Sequence, residues 1–407
     1  MENNIKIGLV GMYGLYNYGC EAIVRGTYEL IKKAWPNCKV ILYTHCPKED
    51  QEILYDLNIL VKCIPENNLL IIRRVINKIL RAIKIYKQIE FYSSKKLAIE
   101  CDIIFSVGGD IYTIPKNIID NNKIKKYHGI LEIGKNILKY KPFVIWGASI
   151  GPFGEKEEIK NYFFEHFKNV NKIFCREEDT VLYLKNNGVD SNIEICADPA
   201  FYIRNIIDVI ECSKSDKVRI ALNLSPLSII DLVGDNNNVF QNEIIDTIIE
   251  LSNIPNSEII LIPHVVSRQF EKDNDLTYLK NIFELLPDSY REKVSIQENL
   301  KGFLGTKAFL ITCDVVIAAR MHCAINAVCE GIPTIFLIYS QKALGMAKYI
   351  YGDTKWAIPL LDIKKELKNR TIEMIYNRHN ISDNIKKRIE RIRSDEYRII
   401  SLFRKLV

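Results

Sequence analysis

The stretch D-V-V-I-A-A-R-M-H-C-A-I-N-A-V-C-E-G-I-P, residues 314–333, decides the fold. Its first five residues are apolar and mostly β-branched after Asp314, without alternation, as in a strand covered on both faces. From Cys323 to Glu330 the apolar residues return at helical spacing. Gly331 and Pro333 then stand where a C-cap and a stop belong. Thr334 to Ile338 is another apolar strand, followed by Tyr339-Ser340-Gln341-Lys342. Strand, turn, helix and strand in close succession make one unit of a parallel sheet. Arg320 and His322 therefore fall where a strand ends and a helix begins, the place where open α/β sheets gather ligands and where helix ends favour anions. Arg offers a fixed fork to a carboxylate or phosphate, and His can move a proton near neutral pH.

The same alternation extends outward in both directions. Strands at 218–222, 258–262 and 293–297 alternate with helices at 240–251, 272–285 and 300–311, and Pro263-His264 ends one of these strands. In the first half, Ile5 to Val10, Val40 to Tyr43, Leu57 to Val61, Asp102 to Val107, Phe143 to Trp146 and Lys172 to Cys175 read as strands. Several finish in Gly-rich or charged turns: Gly108-Gly109-Asp110, Gly147-Ala148-Ser149 and Arg176. The polar stretch from Ile203 to Lys217 is the best linker, and another polar loop carries Asn236-Asn237-Asn238. The expected fold is α/β, with two facing Rossmann-like, doubly wound domains at 1–205 and 216–350 and a helical carboxyl-terminal segment at 351–407.

Composition sets the class. The chain has 407 residues, 48% hydrophobic and 26% charged, which suits a globular protein of two domains. A net charge of +6 is too mild to imply nucleic acid and suits an anionic substrate or surface. Eleven cysteines form no C-x-x-C pair or Cys/His cluster, so reduced thiols, a cytoplasmic setting and no metal are expected. Met1-Glu2-Asn3-Asn4 does not read as a signal peptide, and charges interrupt every apolar run before spanning length.

Two local features carry further expectations. The strand at Ile5 to Val10 runs into Gly11-Met12-Tyr13-Gly14 and then Asn17-Tyr18-Gly19, a βα turn of the anion-binding kind whose spacing is neither G-x-G-x-x-G nor a Walker loop. Between Leu69 and about Ala98, Ile72, Val75, Ile76, Ile79, Ile83 and Tyr86 share one helical face, and Arg73, Arg74, Lys78, Arg81 and Lys84 share the other. Such a helix either forms an outer wall or lies on an anionic membrane surface.

The order and spacing of several short motifs resemble the polysaccharide pyruvyl transferase family. They are N-Y-G-C-E-A-I at 17–23, V-G-G-D at 107–110, G-A-S-I-G-P at 147–152, C-R-E-E-D-T at 175–180 and A-D-P-A-F at 197–201. I-P-H at 262–264, A-R-M-H at 319–322, E-G-I-P-T at 330–334 and Y-S-Q-K at 339–342 complete the series. The resemblance implies a GT-B-like fold with its site in the cleft between the domains. It also implies phosphoenolpyruvate as co-substrate without another cofactor, and a sugar or lipid-linked oligosaccharide as acceptor. Family members carry Asp and Gly where this chain has Cys20 and Asp110, which bears on the acceptor more than on the reaction.

Phosphoenolpyruvate carries a carboxylate and a phosphate, so its site needs forked cations. Arg176, Arg320, Met321, Lys342 and His264 are the expected donor-binding residues on the second domain's side and at Arg176. His322 is the expected general acid, acting with Arg320. Asn17, Gly19, Glu21, Gly108, Gly109 and Ser149 are expected to form acceptor contacts or their loops, with the first domain on the acceptor side. Asp273 and Asp275 are read as a loop capping a helix rather than as ligands of a divalent ion. His45, His128, His166 and His379 have no supporting context. Surface glycans assembled on lipid carriers would place the enzyme at the inner membrane face. Two other readings remain open: a nucleotide-sugar glycosyltransferase, with Glu330 holding a ribose, and a non-catalytic glycan-binding scaffold.

Overall fold

The computed structural model of the chain describes residues 5–67, 70–82, 92–114, 118–119, 128–204, 216–234, 238–267 and 271–407. The chain forms two compact units. One comprises Met1–Leu15, Ile23–Tyr202 and Asp395–Val407, and the other comprises Tyr16–Ala22 and Ile203–Ser394. Residues 205–215 of the expected linker, and Asn236 and Asn237, lie outside the described residues.

The first unit is built on seven parallel strands: β1 (Lys6–Val10), β2 (Lys39–Thr44), β3 (Ile59–Cys63), β4 (Ile103–Val107), β5 (Phe143–Ala148), β6 (Lys172–Cys175) and β7 (Ile193–Ile195). Their order is β3-β2-β1-β4-β5-β6-β7. Strand β4 reads I-I-F-S-V and is buried throughout, as a strand covered on both faces must be. Its one hydroxyl, Ser106 Oγ, accepts a hydrogen bond from the buried Tyr112 hydroxyl at 3.0 Å, which satisfies both groups. Between β1 and β4 the strand order reverses, so the turns after Val10 and Val107 open a crevice at the carboxyl edge.

The second unit has six parallel strands: β8 (Val218–Asn223), β9 (Ser257–Leu261), β10 (Val294–Ile296), β11 (Val315–Ala318), β12 (Thr334–Ile338) and β13 (Ala357–Pro359), in the order β10-β9-β8-β11-β12-β13. Here the reversal falls between β8 and β11, whose register pairs Ala318 with Asn223 at the carboxyl end. The stretch that decides the fold thus lies beside the switch point of its own sheet.

Two parts of the chain differ from the sequence expectation. The carboxyl-terminal segment is not purely helical, because Ala357-Ile358-Pro359 pairs with β12 as an edge strand. Its long helix Ile363–Arg393 then packs in the second unit, while the helix Glu396–Arg404 belongs to the first. Phe403 fixes that last helix, its ring meeting Phe105, Trp146 and Phe174 with centroids 5.1, 4.9 and 5.5 Å away.

The basic stretch also differs from expectation. It forms a helix over Leu70–Ala82, and a separate helix at Ser94–Glu100 is capped by Ser93. The intervening Ile83, Lys84 and Tyr86 lie outside the described residues. In the Leu70–Ala82 helix Asn77 is buried, whereas Ile72, Val75 and Ile79 are 51, 52 and 54% exposed. These three aliphatic side chains therefore face outward, with Arg74 and Lys78 beside them. Among the described residues no helix is long and apolar enough to cross a membrane.

Candidate active site

The second unit gathers its polar side chains at the β8–β11 switch point. Asn223, the last residue of β8, is fully buried and bridges three elements. Its Oδ1 accepts from the Arg320 backbone N–H at 2.9 Å, and its Nδ2 donates to Ile262 O at 2.9 Å and to Asp275 Oδ2 at 3.3 Å. Arg320 is the N-cap residue of the helix Met321–Cys329 but contributes no side-chain cap. Its side chain turns instead to two carboxylates. Nε and Nη2 donate to Asp275 Oδ1 at 3.1 and 2.7 Å, and Nη2 donates to Asp273 Oδ1 at 2.5 Å. Burial alone would lower the guanidinium pKa; Asp275 and then Asp273 outweigh it and raise it, so the cation is permanent.

The loop at Asp273 and Asp275 does cap a helix, but neither Asp side chain is the cap. Asn274 between them is the cap, accepting from the amides of Leu276 and Thr277, and the two Asp side chains face Arg320. Asp275 is fully buried and also accepts from the backbone amides of His264 and Val265, at 2.9 and 3.0 Å. Burying a carboxylate is tolerable only with such a set of donors. Among the described residues no group of three or more His, Cys, Asp or Glu side chains is arranged to hold a metal ion.

His264 follows β9 and is almost wholly buried. Burial first, and then the neighbouring His322 and Arg320, push its pKa well below the ordinary value, so its ring is neutral. Its ring lies edge-on to Tyr18 and to Phe303, at 5.6 and 6.1 Å. His322, half-buried in the first turn of the helix, completes the group.

The turn expected to belong to the first domain joins this cluster. Tyr16–Ala22 is part of the second unit, with Asn17 forming an antiparallel bridge to Val265. The Tyr18 amide donates to His264 O at 3.1 Å, and its hydroxyl donates to Leu300 O at 2.9 Å. Burial pushes that hydroxyl's pKa up to about 12. Glu21 is buried, and its carboxylate accepts from the Phe303 amide at 2.7 Å and lies against Gly302, whose φ of +68° favours glycine. Gly19 leaves room for His322: a Cβ there would stand 2.6 Å from its Nδ1. Asn17, Gly19 and Glu21 thus pack with His264 and His322. Met321 is half-buried beside Arg320, and Lys342 lies beyond β12, in the first turn of the helix Gln341–Tyr351.

A second polar group forms at the carboxyl edge of the first unit. Arg176, directly after β6, has a fully buried side chain and pairs with Asp198 and Asp110, each at 2.8 Å. Its Nε donates to Ser149 Oγ at 3.0 Å, and that hydroxyl donates to Glu177 Oε1 at 2.8 Å. Burial alone would lower the Arg176 pKa, but Asp110, Asp198 and Glu177 outweigh it and raise it, leaving a fixed cation. Gly109 is required here because a Cβ would run into the guanidinium. Gly108 adopts φ +146° beside Ile111. Asp110 is therefore one of the anchors of Arg176.

Sequence reasoning named most of these positions but missed Asn223 and Tyr18. Asn223 could have been found as the polar residue ending the apolar run Ile220-Ala221-Leu222. Tyr18 lies within the N-Y-G-C-E-A-I motif at 17–23, which did not single it out from its neighbours.

No curated protein matches the sequence. Among solved structures, HepE of Anabaena in complex with UDP-glucose is similar at 12% identity, covering 98% of each chain with a TM-score of 0.58. The UDP-GlcNAc 2-epimerase of Methanocaldococcus jannaschii is 14% identical over 97% of this chain and 100% of its own, with a TM-score of 0.54. The S. aureus MnaA–UDP structure is 12% identical over 97 and 96%, with a TM-score of 0.56. At these identities the likeness is one of fold, the GT-B fold of glycosyltransferases and epimerases. The polysaccharide pyruvyl transferase model matches residues 17–341, which runs from the Asn17 turn through Arg320 and His322 to the start of the helix after β12, and the chain belongs to that family.

Proposed function

We propose that the chain transfers the pyruvate unit of phosphoenolpyruvate to two hydroxyls of a sugar, forming a pyruvate ketal and releasing inorganic phosphate. The carrying observation is the pairing of a permanent cation, Arg320, with a half-buried His322 two residues on, at a strand-to-helix turn. Arg320 binds the donor's anionic group, helped by the positive end of the Met321–Cys329 helix. His322 protonates the methylene carbon, and a sugar hydroxyl attacks the adjacent carbon. The proton lost by that hydroxyl restores His322. The second hydroxyl then displaces phosphate, which carries away the second proton. Met321, Lys342 and His264 are the further donor contacts of the second unit in this reading. Phosphate release from phosphoenolpyruvate, measured against nucleotide release from UDP-sugars, tests the assignment; nucleotide release alone would overturn it.

The nucleotide-sugar reading draws support from the UDP-bound structures of similar fold. Against it, Glu330, the residue that would hold a ribose, is already committed to the buried Lys307 ammonium at 2.6 Å.

The acceptor is a lipid-linked glycan in this proposal, met at an anionic membrane surface. The Leu70–Ala82 helix supports that placement, since it has no acidic residue and presents Ile72, Val75 and Ile79 outward beside Arg74 and Lys78. The protein should sediment with vesicles containing phosphatidylglycerol and be released as salt rises, each basic residue contributing about 1 kcal/mol. Protein left in the supernatant at low salt would reduce this helix to an outer wall.

A further inference from the structure

The two carboxylates on Arg320 are not equivalent. Nε and Nη2 form the lateral edge of the guanidinium, and both donate to Asp275 Oδ1. The end-on edge is formed by Nη1 and Nη2. Asp273 takes only Nη2 of that edge, and among the described residues Nη1 enters no hydrogen bond. Asp275 is also held by Asn223 and two backbone amides, so it cannot leave without stranding buried donors. Asp273 lies in the short turn Glu271–Asp273, its side chain is 25% exposed, and among the described residues its carboxylate accepts one hydrogen bond. Asp231, on the helix Pro226–Val233, stands close enough to feel the charge of Asp273. Asp273 therefore shares one cation with Asp275 and is repelled by two carboxylates.

We propose that Asp273 is a displaceable occupant of the donor-anion position, holding half of Arg320's outer fork until a bidentate anion replaces it. The identity of that anion as phosphoenolpyruvate rests on the function proposed above; the displacement does not. A carboxylate or phosphate presents two oxygens and can take Nη1 and Nη2 together, which Asp273 does not do. A neutral ribose hydroxyl has no charge with which to compete. Asp275 thus anchors the guanidinium while Asp273 selects among ligands, which makes it a specificity-determining residue.

The test is calorimetric titration of phosphoenolpyruvate, inorganic phosphate and UDP into the wild type, Asp273→Asn, Asp273→Ser and Asp273→Glu, with thermal unfolding as a check on folding. Asp273→Asn and Asp273→Ser should bind phosphoenolpyruvate and phosphate about tenfold more tightly at low ionic strength, the scale of removing one like charge from a partly exposed anion site. The gain should shrink as salt rises and should vanish when Arg320→Ala is added. Asp273→Glu, which keeps the charge, should show no gain. Unchanged or weaker binding of both anions in the folded Asn and Ser variants overturns the proposal. A gain for phosphate that depends on Arg320, with no preference for phosphoenolpyruvate and no turnover, would uphold displacement and sink the proposed donor.

Discussion

Gly19→Ala is the most economical probe of His322, because it adds one methyl group and removes nothing. A Cβ at position 19 would stand 2.6 Å from His322 Nδ1 and 2.8 Å from its Cγ, where ordinary contact begins at 3.4 Å. The ring or the turn must therefore retreat by about 0.8 Å, and a misplacement of about 1 Å in a catalytic group costs roughly 10²-fold in rate. Arg320 is held separately, by Asp275, Asp273 and Asn223, so it should stay in place. The expected outcome is a 30- to 100-fold fall in kcat, about the cost of that displacement, with donor affinity within about threefold. Overpacking of this kind should cost about 1–3 kcal/mol of stability. The assay pairs phosphate release at saturating donor with calorimetric donor binding and thermal unfolding. Gly345→Ala, where a Cβ meets nothing within 4 Å, is the control and should leave kcat unchanged. A Gly19→Ala enzyme that is folded and retains kcat within threefold would refute the role of His322 or the contact itself.

Arg320→Ala should weaken phosphoenolpyruvate binding by about 2–4 kcal/mol, and it should also lower the unfolding temperature, because it strands the buried Asp275; normal donor binding would exclude Arg320 as the anion contact. His322→Gln should keep donor affinity within a few-fold while turnover falls by about 10²–10⁴-fold, and turnover within tenfold of wild type would move the acid elsewhere. His166 in the first unit is buried, and burial, then Lys135 and His128, depress its pKa to about 3. Its neutral form stabilises the fold above the unfolded value near 6.5, and that contribution is lost as pH falls from there toward 3. Between pH 7 and 5 the loss from this one group should be about 2 kcal/mol. Denaturant titrations of His166→Leu should show a pH slope shallower by about one proton, and an unchanged slope would mean that another group titrates.

The sequence by itself determined the parallel βα units and the two turns that carry the cations. Those signals are local: a short β-branched run such as Val315-Val316-Ile317 reads as a covered strand, and a Gly-Ile-Pro sequence after a periodic segment ends a helix. The placing of Arg320, His322 and Arg176 at or just past strand ends was legible for the same reason. The partners of those residues were not legible. Asp275 lies 45 residues from Arg320 and Asp198 lies 22 from Arg176, and each pair meets only because strand order brings the ends of distant units together.

Periodicity grouped Ile72, Val75 and Ile79 on one face of a helix but could not say which face the fold would cover; the structure buries Asn77 and leaves those three side chains exposed. Proximity in sequence likewise tied Tyr16–Ala22 to the first domain, yet its backbone pairs with Val265 and its carboxylate caps Phe303. Phe403, near the end of the chain, fills the core of the first unit against Phe105 and Trp146. Each of these outcomes depends on which apolar surfaces close over one another and which buried donors still need acceptors. Those demands arise only once the sheets are formed, and no window along the chain contains them.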